Sequence, residues 1–145
     1  MYRNLLIASD GSEFAEKAVT QGLALAKQLN ARVTAVTVTE PLPSILAAEA
    51  TSTFPLEFYA SAAKSNAEDI LSQIRERADQ TGVKCDTAHV ADRFPAEGIL
   101  EAAESRECDL IVMASHGRRG IAKLLLGSQT MRVLNSSSTP VLVCR

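Results

Sequence analysis

The sequence predicts a single α/β domain over residues 1–145, with an open, five-stranded parallel sheet and helices on both faces. Short apolar or β-branched runs alternate along the chain with longer segments whose apolar residues repeat at helical spacing. Strands that alternate with helices form βαβ units and therefore a mainly parallel sheet. A composition of 46% hydrophobic and 22% charged residues is typical of a globular protein with an apolar core.

The first βα unit begins with Asn4–Ala8, NLLIA, which predicts a buried strand. The turn at residues 9–12, SDGS, follows this strand at once. Ser12 is suited to be the N-cap of a helix that starts at Glu13, and Asn30 is suited to end that helix. Five residues at helical spacing mark one face of this helix: Phe14, Ala18, Gly22, Leu25 and Leu29.

A second strand is predicted over Arg32–Val38, RVTAVTV, because β-branched residues dominate it. Residues 40–58 contain three prolines and predict a long connection, of a kind that is often functional or mobile. A helix then runs from Phe58 to Gln80, and Gly82 ends it. Six apolar residues lie on one face of this helix: Ala63, Ala67, Ile70, Leu71, Ile74 and Ala78.

The remaining elements complete the alternation of strands and helices. Val83–Ala91 alternates loosely, as a third strand does, and Pro95 suits the first turn of the next helix. Asp109–Ala114, DLIVMA, is a continuous apolar run, which is typical of a strand covered on both faces. A last helix is predicted over Ser128–Asn135 and a fifth strand over Thr139–Cys144.

Charge and composition argue against several functional classes. A net charge of −2 gives the chain no overall electrostatic footprint for nucleic acid, although Arg118, Arg119 and Lys123 form a local basic patch. The apolar run at the start is too short for a secretory signal or a membrane span, so we expect no membrane association. The three cysteines are scattered without a CxxC pair or metal-ligand spacing, which predicts reduced thiols in a cytoplasmic protein.

Two polar segments that contain glycine follow predicted strands. Residues 8–12, ASDGS, follow the first strand, and residues 114–117, ASHG, follow the fourth. In a flavodoxin- or Rossmann-like sheet of order 3-2-1-4-5 the first strand is central and the fourth lies beside it. Both segments then face one crevice at the carboxyl ends of the strands, where such sheets bind ligands.

The segment from Gly117 to Ser128 favours a phosphate-bearing ligand. Gly117 and Gly120 allow a close approach of the backbone, and Gly127 with Ser128 stands where a helix begins. The free N–H groups and the positive dipole end of a helix N-terminus bind anions, and the basic patch adds positive charge nearby. The same glycines and serine also fit an ordinary turn and helix cap, and the basic patch also fits a solvated rim.

Two further residues are candidates for contact with a ligand. Asp10 comes directly after a buried strand, where its carboxylate can accept a hydrogen bond from a ribose hydroxyl or hold a divalent metal through water. Its alternative role is an Asx turn that orders the entry to the first helix. His116 can contact a ligand or form hydrogen bonds within its own loop, whereas His89 in the third strand is predicted to be structural.

The sequence gives little support for catalysis. It contains neither the GxxxxGK[ST] phosphate loop nor, after the first strand, the GxGxxG dinucleotide fingerprint. A Gly-x-Ser-x-Gly nucleophile elbow is also missing, and nothing identifies a dedicated general base. Ligand binding, rather than catalysis, is therefore the expected activity.

Four segments together resemble the universal stress protein family: ASDGSE, DLIVMASHGRRG, LLLGSQTMRVL and the terminal STPVLVCR. The resemblance extends over essentially the whole chain and implies a five-stranded parallel sheet and, as in many members, a homodimer. The ATP-binding, UspA-like branch has a motif of Gly, two residues, Gly, nine residues and Gly-Ser or Gly-Thr. Gly117, Gly127 and Ser128 match its spacing, whereas Ala114 replaces the first glycine. Since alanine is small, ATP binding is expected to survive this replacement.

The resemblance implies roles for three groups of residues. The base and the ribose would be bound by residues at the ends of three strands: Ala8, Ser9, Asp10, Val38, Met113 and Ala114. Asp10 would also be a possible, indirect metal ligand. The phosphates, which Mg²⁺ can accompany, would be bound through backbone N–H groups and the Ser128 hydroxyl: Gly117, Gly127, Ser128 and Gln129. Four further residues would lie near the phosphates: His116, Arg118, Arg119 and Lys123.

The leading hypothesis is therefore a cytoplasmic stress-response protein that binds ATP, ADP or AMP and acts as a nucleotide-dependent regulator or binding module. One alternative is a slow Mg-dependent ATPase or phosphotransferase that uses Asp10. The other is a nucleotide-free interaction protein whose site has lapsed. The last strand, VLVC, presents an apolar edge that a twofold-related copy of the chain would cover, as in dimers of the family.

Overall fold

The computed structural model describes residues 1–42, 55–117 and 126–145, and its sheet has five parallel strands in the order β3-β2-β1-β4-β5. The fold class and the strand order predicted from the sequence are confirmed. The strands are β1 (Asn4–Ala8), β2 (Arg32–Thr39), β3 (Cys85–Ala91), β4 (Leu110–Ala114) and β5 (Val141–Cys144). The helices among the described residues are α1 (Glu13–Leu29), α2 (Leu56–Thr81), α3 (Pro95–Ser105) and α4 (Ser128–Ser136).

Helices cover both faces of the sheet, and every residue of β1 and β4 is buried as a result. Side chains alternate between two core clusters, because successive residues of a strand point to opposite faces. Leu5 and Ile7 of β1 pack in the cluster beneath α1 and α2. Leu6 and Ala8 pack in the cluster beneath α3 and α4. The continuous apolar runs of the sequence are thus explained by burial on both faces.

The local signals for helix ends are found where the sequence predicted them. The Ser12 hydroxyl accepts a hydrogen bond from the backbone N–H of Ala15 at 3.2 Å and so caps α1. Asn30 and Gly82 end α1 and α2 with left-handed φ angles of 52° and 76°. Pro95 occupies the first turn of α3, where its missing N–H has no helical partner to lose.

Three boundaries differ from the prediction by two residues. Strand β5 begins at Val141 rather than Thr139. Helix α2 begins at Leu56 rather than Phe58, and residues 43–54 of the predicted connection lie outside the described residues. Strand β3 begins at Cys85 rather than Val83. The reason is that the backbone N–H of Val83 donates to Ala78 O at 2.9 Å, which makes Val83 part of the helix-ending motif.

The three cysteines are free thiols, and Cys108 and Cys144 are buried. Burial raises the pKa of the Cys108 and Cys144 thiols, so both are protonated at neutral pH and pack as small apolar side chains. Within the described ranges no group of three or more His, Cys, Asp and Glu side chains is placed to hold a metal ion. None of the described helices is both long enough and apolar enough to cross a bilayer.

Gly98 allows α3 to lie directly on the end of β2. A Cβ at Gly98 would lie 2.7 Å from both Val38 methyl carbons, so Gly98→Ala should lower the free energy of unfolding by about 1–2 kcal/mol despite the better helix propensity of alanine. Urea unfolding measures this change. In a Val38→Ala background the same substitution should be neutral or stabilising, and an equal loss in both backgrounds would contradict the proposed contact.

Candidate functional site

The loops that follow β1 and β4 meet at the carboxyl edge of the sheet because these two strands are neighbours. Gly117 faces Asp10 across this edge, since a Cβ added to Gly117 would lie 3.1 Å from Asp10 Oδ2. A side chain at position 117 would therefore press on the Asp10 carboxylate. The absence of a side chain at Gly117 lets the two loops lie this close together.

The β1 loop is ordered by its own side chains. Asp10 Oδ1 accepts a hydrogen bond from the Ser12 N–H at 2.9 Å, and Ser9 Oγ accepts one from the Gly11 N–H at 3.2 Å. Gly11 has a φ of 77°, a conformation that favours glycine. Asp10 thus forms the Asx turn that was one of its two predicted roles. Its second carboxylate oxygen, Oδ2, lies on the side of Gly117.

Strand β2 is fixed to the same loop. The backbone N–H of Ser9 donates to Val36 O at 3.0 Å, and the Thr37 hydroxyl donates to Ser9 O at 2.9 Å. Thr37 is buried, so this hydrogen bond is protected from competing water. Val38 follows immediately and is half-buried at the end of the strand, under Gly98 of α3. The end of β2 therefore has a fixed position relative to the β1 loop.

The N-terminus of α4 is attached to the end of β4 by backbone and side-chain hydrogen bonds. The Gly127 N–H donates to Ser115 O at 2.8 Å. The Thr130 hydroxyl lies 3.0 Å from Ala114 O and 3.2 Å from Ser115 O and donates to this pair of carbonyl groups. These bonds hold the first turn of α4 beside the loop that follows β4.

Gly127 is the N-cap residue of α4 and contributes no capping side-chain hydrogen bond. The first N–H groups of a helix have no partner within the helix, so without a cap they remain suited to an anion. Ser128 is exposed in this turn, where its hydroxyl is accessible to a ligand. The turn therefore offers the hydrogen-bond donors that phosphate requires.

His116 is buried and bonded within its own loop. Its Nδ1 lies 2.9 Å from Ser115 Oγ, and its ring centroid lies 5.5 Å from that of Phe14 on α1. The imidazole thus braces the β4 loop against α1. The other histidine, His89, lies on β3, and its Nε2 is 2.7 Å from the Thr39 hydroxyl of the neighbouring strand.

The structure gathers the predicted site residues at the ends of β1, β2 and β4 and in the first turn of α4. Arg118, Arg119 and Lys123 of the basic patch lie outside the described residues, as does Gly120. Thr130 is not among the residues predicted from the sequence, where its local signal is a polar residue in the first turn of the last helix; it is buried in the structure. The contact of the Gln129 side chain with α3 was not predicted either: Gln129 Oε1 accepts a hydrogen bond from the Ala96 N–H at 3.0 Å.

A family model described as the Universal stress protein family matches residues 1–145. The chain belongs to the universal stress protein family. The resemblance inferred from the four sequence segments is therefore confirmed.

Curated universal stress proteins match the chain over its whole length. One from Thermus aquaticus is 34% identical over 145 residues, which covers 100% of both chains. The universal stress protein MJ0531 of Methanocaldococcus jannaschii is 32% identical over 146 residues, which covers 100% of this chain and 83% of the relative.

Solved structures of the family show the same fold. Protein MJ0577 of M. jannaschii superposes with a TM-score of 0.84 at 28% identity, over 99% of this chain and 96% of that one. A universal stress protein solved in complex with cAMP superposes with a TM-score of 0.69 at 26% identity, over 99% of this chain and 97% of that one.

Proposed function

We propose that this universal stress protein binds an adenine nucleotide at the carboxyl edge of its sheet and acts as a nucleotide-dependent regulator or binding module. The observation that carries the proposal is the first turn of α4, whose N-cap Gly127 supplies no capping side chain and whose N–H groups lie beside the β4 loop. The relative solved with cAMP supports an adenine nucleotide as the ligand class.

The proposed arrangement of the ligand follows the ends of the strands. The adenine lies against Val38 and Met113, and the ribose lies between Asp10 and Ala114. The phosphates lie on the first turn of α4, where the backbone N–H groups of Ser128 and Gln129 donate to them together with the Ser128 hydroxyl. The Gly127 N–H, which the sequence analysis also assigned to phosphate, is already bonded to Ser115 O and instead holds the turn in place. The donors are fixed by the Thr130 and Gly127 hydrogen bonds before any ligand arrives, which reduces the entropic cost of binding.

Magnesium fits this arrangement through Asp10 and the phosphate oxygens. Mg²⁺ commonly binds through one or two carboxylates together with substrate phosphates, so a complete protein cage is not needed. One Asp10 oxygen is bonded to the Ser12 N–H, and Oδ2 lies on the side of Gly117. The ion would neutralise charge on the phosphates.

The first test is the identity of any nucleotide that the protein retains. Protein purified without added nucleotide is denatured, and the released material is identified and quantified by chromatography and mass spectrometry. Near-stoichiometric ATP, ADP or AMP supports the proposal. If none is released, calorimetric titration with Mg-ATP follows, and a flat titration at millimolar ATP would overturn the proposal in favour of a nucleotide-free interaction protein.

Asp10→Asn separates the two roles of Asp10. The amide oxygen still accepts from the Ser12 N–H, so the turn and the free energy of unfolding should change little. Loss of the charge should weaken Mg-ATP binding about tenfold, or roughly 1.4 kcal/mol, as measured by calorimetry. A variant that binds Mg-ATP like the wild type would show that Asp10 serves the turn alone. Rapid, saturable phosphate release that Asp10→Ala abolishes would instead indicate an ATPase.

We further propose that the protein is a homodimer of the cytoplasm, in which β5 pairs with its copy across a twofold axis. Strand β5 is the last in the sheet order and leaves one edge without a neighbour among the described strands. Leu142 on this strand is exposed, which is unfavourable for an isolated edge. The three free thiols favour a reducing compartment such as the cytoplasm.

Val143→Pro should convert the dimer to a monomer. Pro140 O accepts a hydrogen bond from Ile111 of β4, and Cys144 O accepts one from Ser115, which follows β4. Residues of a strand alternate between its two edges, so the N–H groups of Val141 and Val143 point to the open edge. Proline at position 143 removes one outward donor and keeps the bonds to β4. The mass measured by light scattering should fall by half. Leu142→Pro is the matched control, because it removes an inward N–H and should instead destabilise the fold.

A further inference from the structure

The side chain of Gln129 joins two helices that the proposed function places at opposite ends of the nucleotide. Gln129 lies in the first turn of α4, and its Oε1 accepts a hydrogen bond from the backbone N–H of Ala96 in the first turn of α3 at 3.0 Å. The two residues are 33 positions apart in the chain. Because Ala96 is buried, the bond satisfies a donor that water does not reach.

Helix α3 depends on this bond because its own N-cap residue is Phe94, which has no polar side-chain atom. An N-terminal N–H of a helix needs a partner outside the helix, and an acceptor supplied from another element fills the same role as a local cap. The Gln129 oxygen therefore caps α3 from α4. The position of the first turn of α3 then depends on where Gln129 is held.

Gln129 is itself held firmly through its neighbours in α4. Gly127 donates to Ser115 O, and Thr130 donates to Ala114 O and Ser115 O, so the residues on both sides of Gln129 are bonded to the end of β4. A displacement of this turn by a bound phosphate would move the Gln129 side chain with it.

Helix α3 in turn rests on β2. A Cβ at Gly98, two residues after Ala96, would lie 2.7 Å from both methyl carbons of Val38, so the helix backbone is in direct contact with that side chain. Packing this close transmits a shift of α3 to Val38, because close-packed groups have no free space to absorb it. The chain of contacts thus runs from the α4 turn through Gln129, Ala96 and Gly98 to Val38.

We infer that Gln129 is a positioning residue that couples the phosphate end of the site, at the α4 turn, to the adenine end, at Val38. The inference rests on the proposed nucleotide site. The backbone of Gln129 remains part of the turn that faces phosphate, while its side chain acts on the adenine end through α3. Removal of the side-chain acceptor should therefore lower the affinity even for a ligand that has no phosphate.

The test compares adenosine and ATP as probes of Gln129→Met, which keeps the length of the side chain without the acceptor, and Gln129→Glu, which keeps the acceptor. Calorimetry should show adenosine affinity about threefold to tenfold weaker for Gln129→Met and largely restored for Gln129→Glu. ATP should bind Gln129→Glu more weakly than the wild type, because a carboxylate then lies close to the phosphates. Unchanged adenosine affinity in Gln129→Met would overturn the inference, whether ATP affinity falls or not.

Amide hydrogen exchange at Ala96 separates this inference from the proposed function. Loss of the cap should speed exchange of the Ala96 N–H in Gln129→Met and not in Gln129→Glu, with or without ligand. ADP added to the wild type should shift the NMR signals of Ala96 and Gly98, and this shift should be lost in Gln129→Met. Exchange at Ala96 that is the same in all three proteins would overturn the inference. If the wild-type protein binds neither adenosine nor ATP, the proposed function is overturned. The positioning role of Gln129 is then overturned as well, even if hydrogen exchange shows that Gln129 caps α3.

Discussion

Gly127→Val should abolish nucleotide binding and leave the protein folded. A Cβ at position 127 would lie 3.3 Å from Ser115 O and 3.5 Å from His116 Cα, which are backbone atoms that cannot rotate away. The two methyl groups of valine would also cover the N–H groups to which the phosphates bind. Loss of these charge-assisted hydrogen bonds should lower the affinity for ATP at least about 100-fold, or roughly 2.7 kcal/mol, as measured by calorimetry.

The stability of this variant should fall without unfolding the protein. Gly127 has φ and ψ of −67° and 156°, an extended conformation that valine adopts without backbone strain, so the costs are a poorer N-cap of about 1 kcal/mol and the close contact of the new Cβ with Ser115 O. Asn135→Val is the matched control, because it places valine at an exposed position of the same helix and should not affect binding. Normal ATP binding by Gly127→Val would show that the phosphates do not lie on this turn.

Gly127→Asp provides a second test, in which the free energy of unfolding should be maintained while the affinity for ATP falls. An aspartate at the N-cap accepts from the first-turn N–H groups and favours the helix dipole, so it offsets the close contact at Ser115 O. The same carboxylate occupies the donors and repels phosphate. A folded protein that no longer binds ATP would locate the anion site at α4 independently of any loss of structure.

Most of the fold could be predicted because its signals are local. The runs NLLIA and LIVMA are continuous and apolar, so they indicate the two buried central strands without knowledge of their neighbours. The helix ends at Ser12, Asn30 and Gly82 are determined by single residues with particular side-chain or backbone properties. The predicted start of β3 at Val83 was wrong, because Val83 belongs to the motif that ends α2. No local pattern distinguishes a valine in such a motif from the first residue of a strand.

The candidate site was predictable only in part. Residues after β1 and β4 were expected to face each other, since strand order alone brings those loops together, and Asp10 and Gly117 do approach. The bonds that hold the site join residues far apart in sequence: Thr130 reaches Ala114 over 16 positions, and Gln129 reaches Ala96 over 33. Hydrogen bonds of this kind depend on tertiary packing, so neither periodicity nor motif spacing reveals them.

Thr130→Val should be the most destabilising of the conservative substitutions considered for the site. Thr130 is only 2% exposed, and its hydroxyl serves both Ala114 O and Ser115 O. Valine has nearly the same shape without the donor, so it loses these bonds and leaves buried carbonyl groups less well satisfied, which should cost roughly 2 kcal/mol. Urea unfolding should show a lower midpoint at an unchanged slope, since the surface exposed on unfolding stays the same.

Thr130→Ser separates the hydroxyl from the methyl group. Serine keeps the donor and loses one buried methyl, so its cost should be about 1 kcal/mol and ATP binding should persist. Thr130→Val should also bind ATP about tenfold more weakly, because the first turn of α4 is then held to β4 by the Gly127 bond without the side-chain bonds. If valine were as stable as threonine, the hydroxyl would not hold the turn. The donors of the proposed phosphate site would then owe their position to Gly127 and to the packing of α4 against α3.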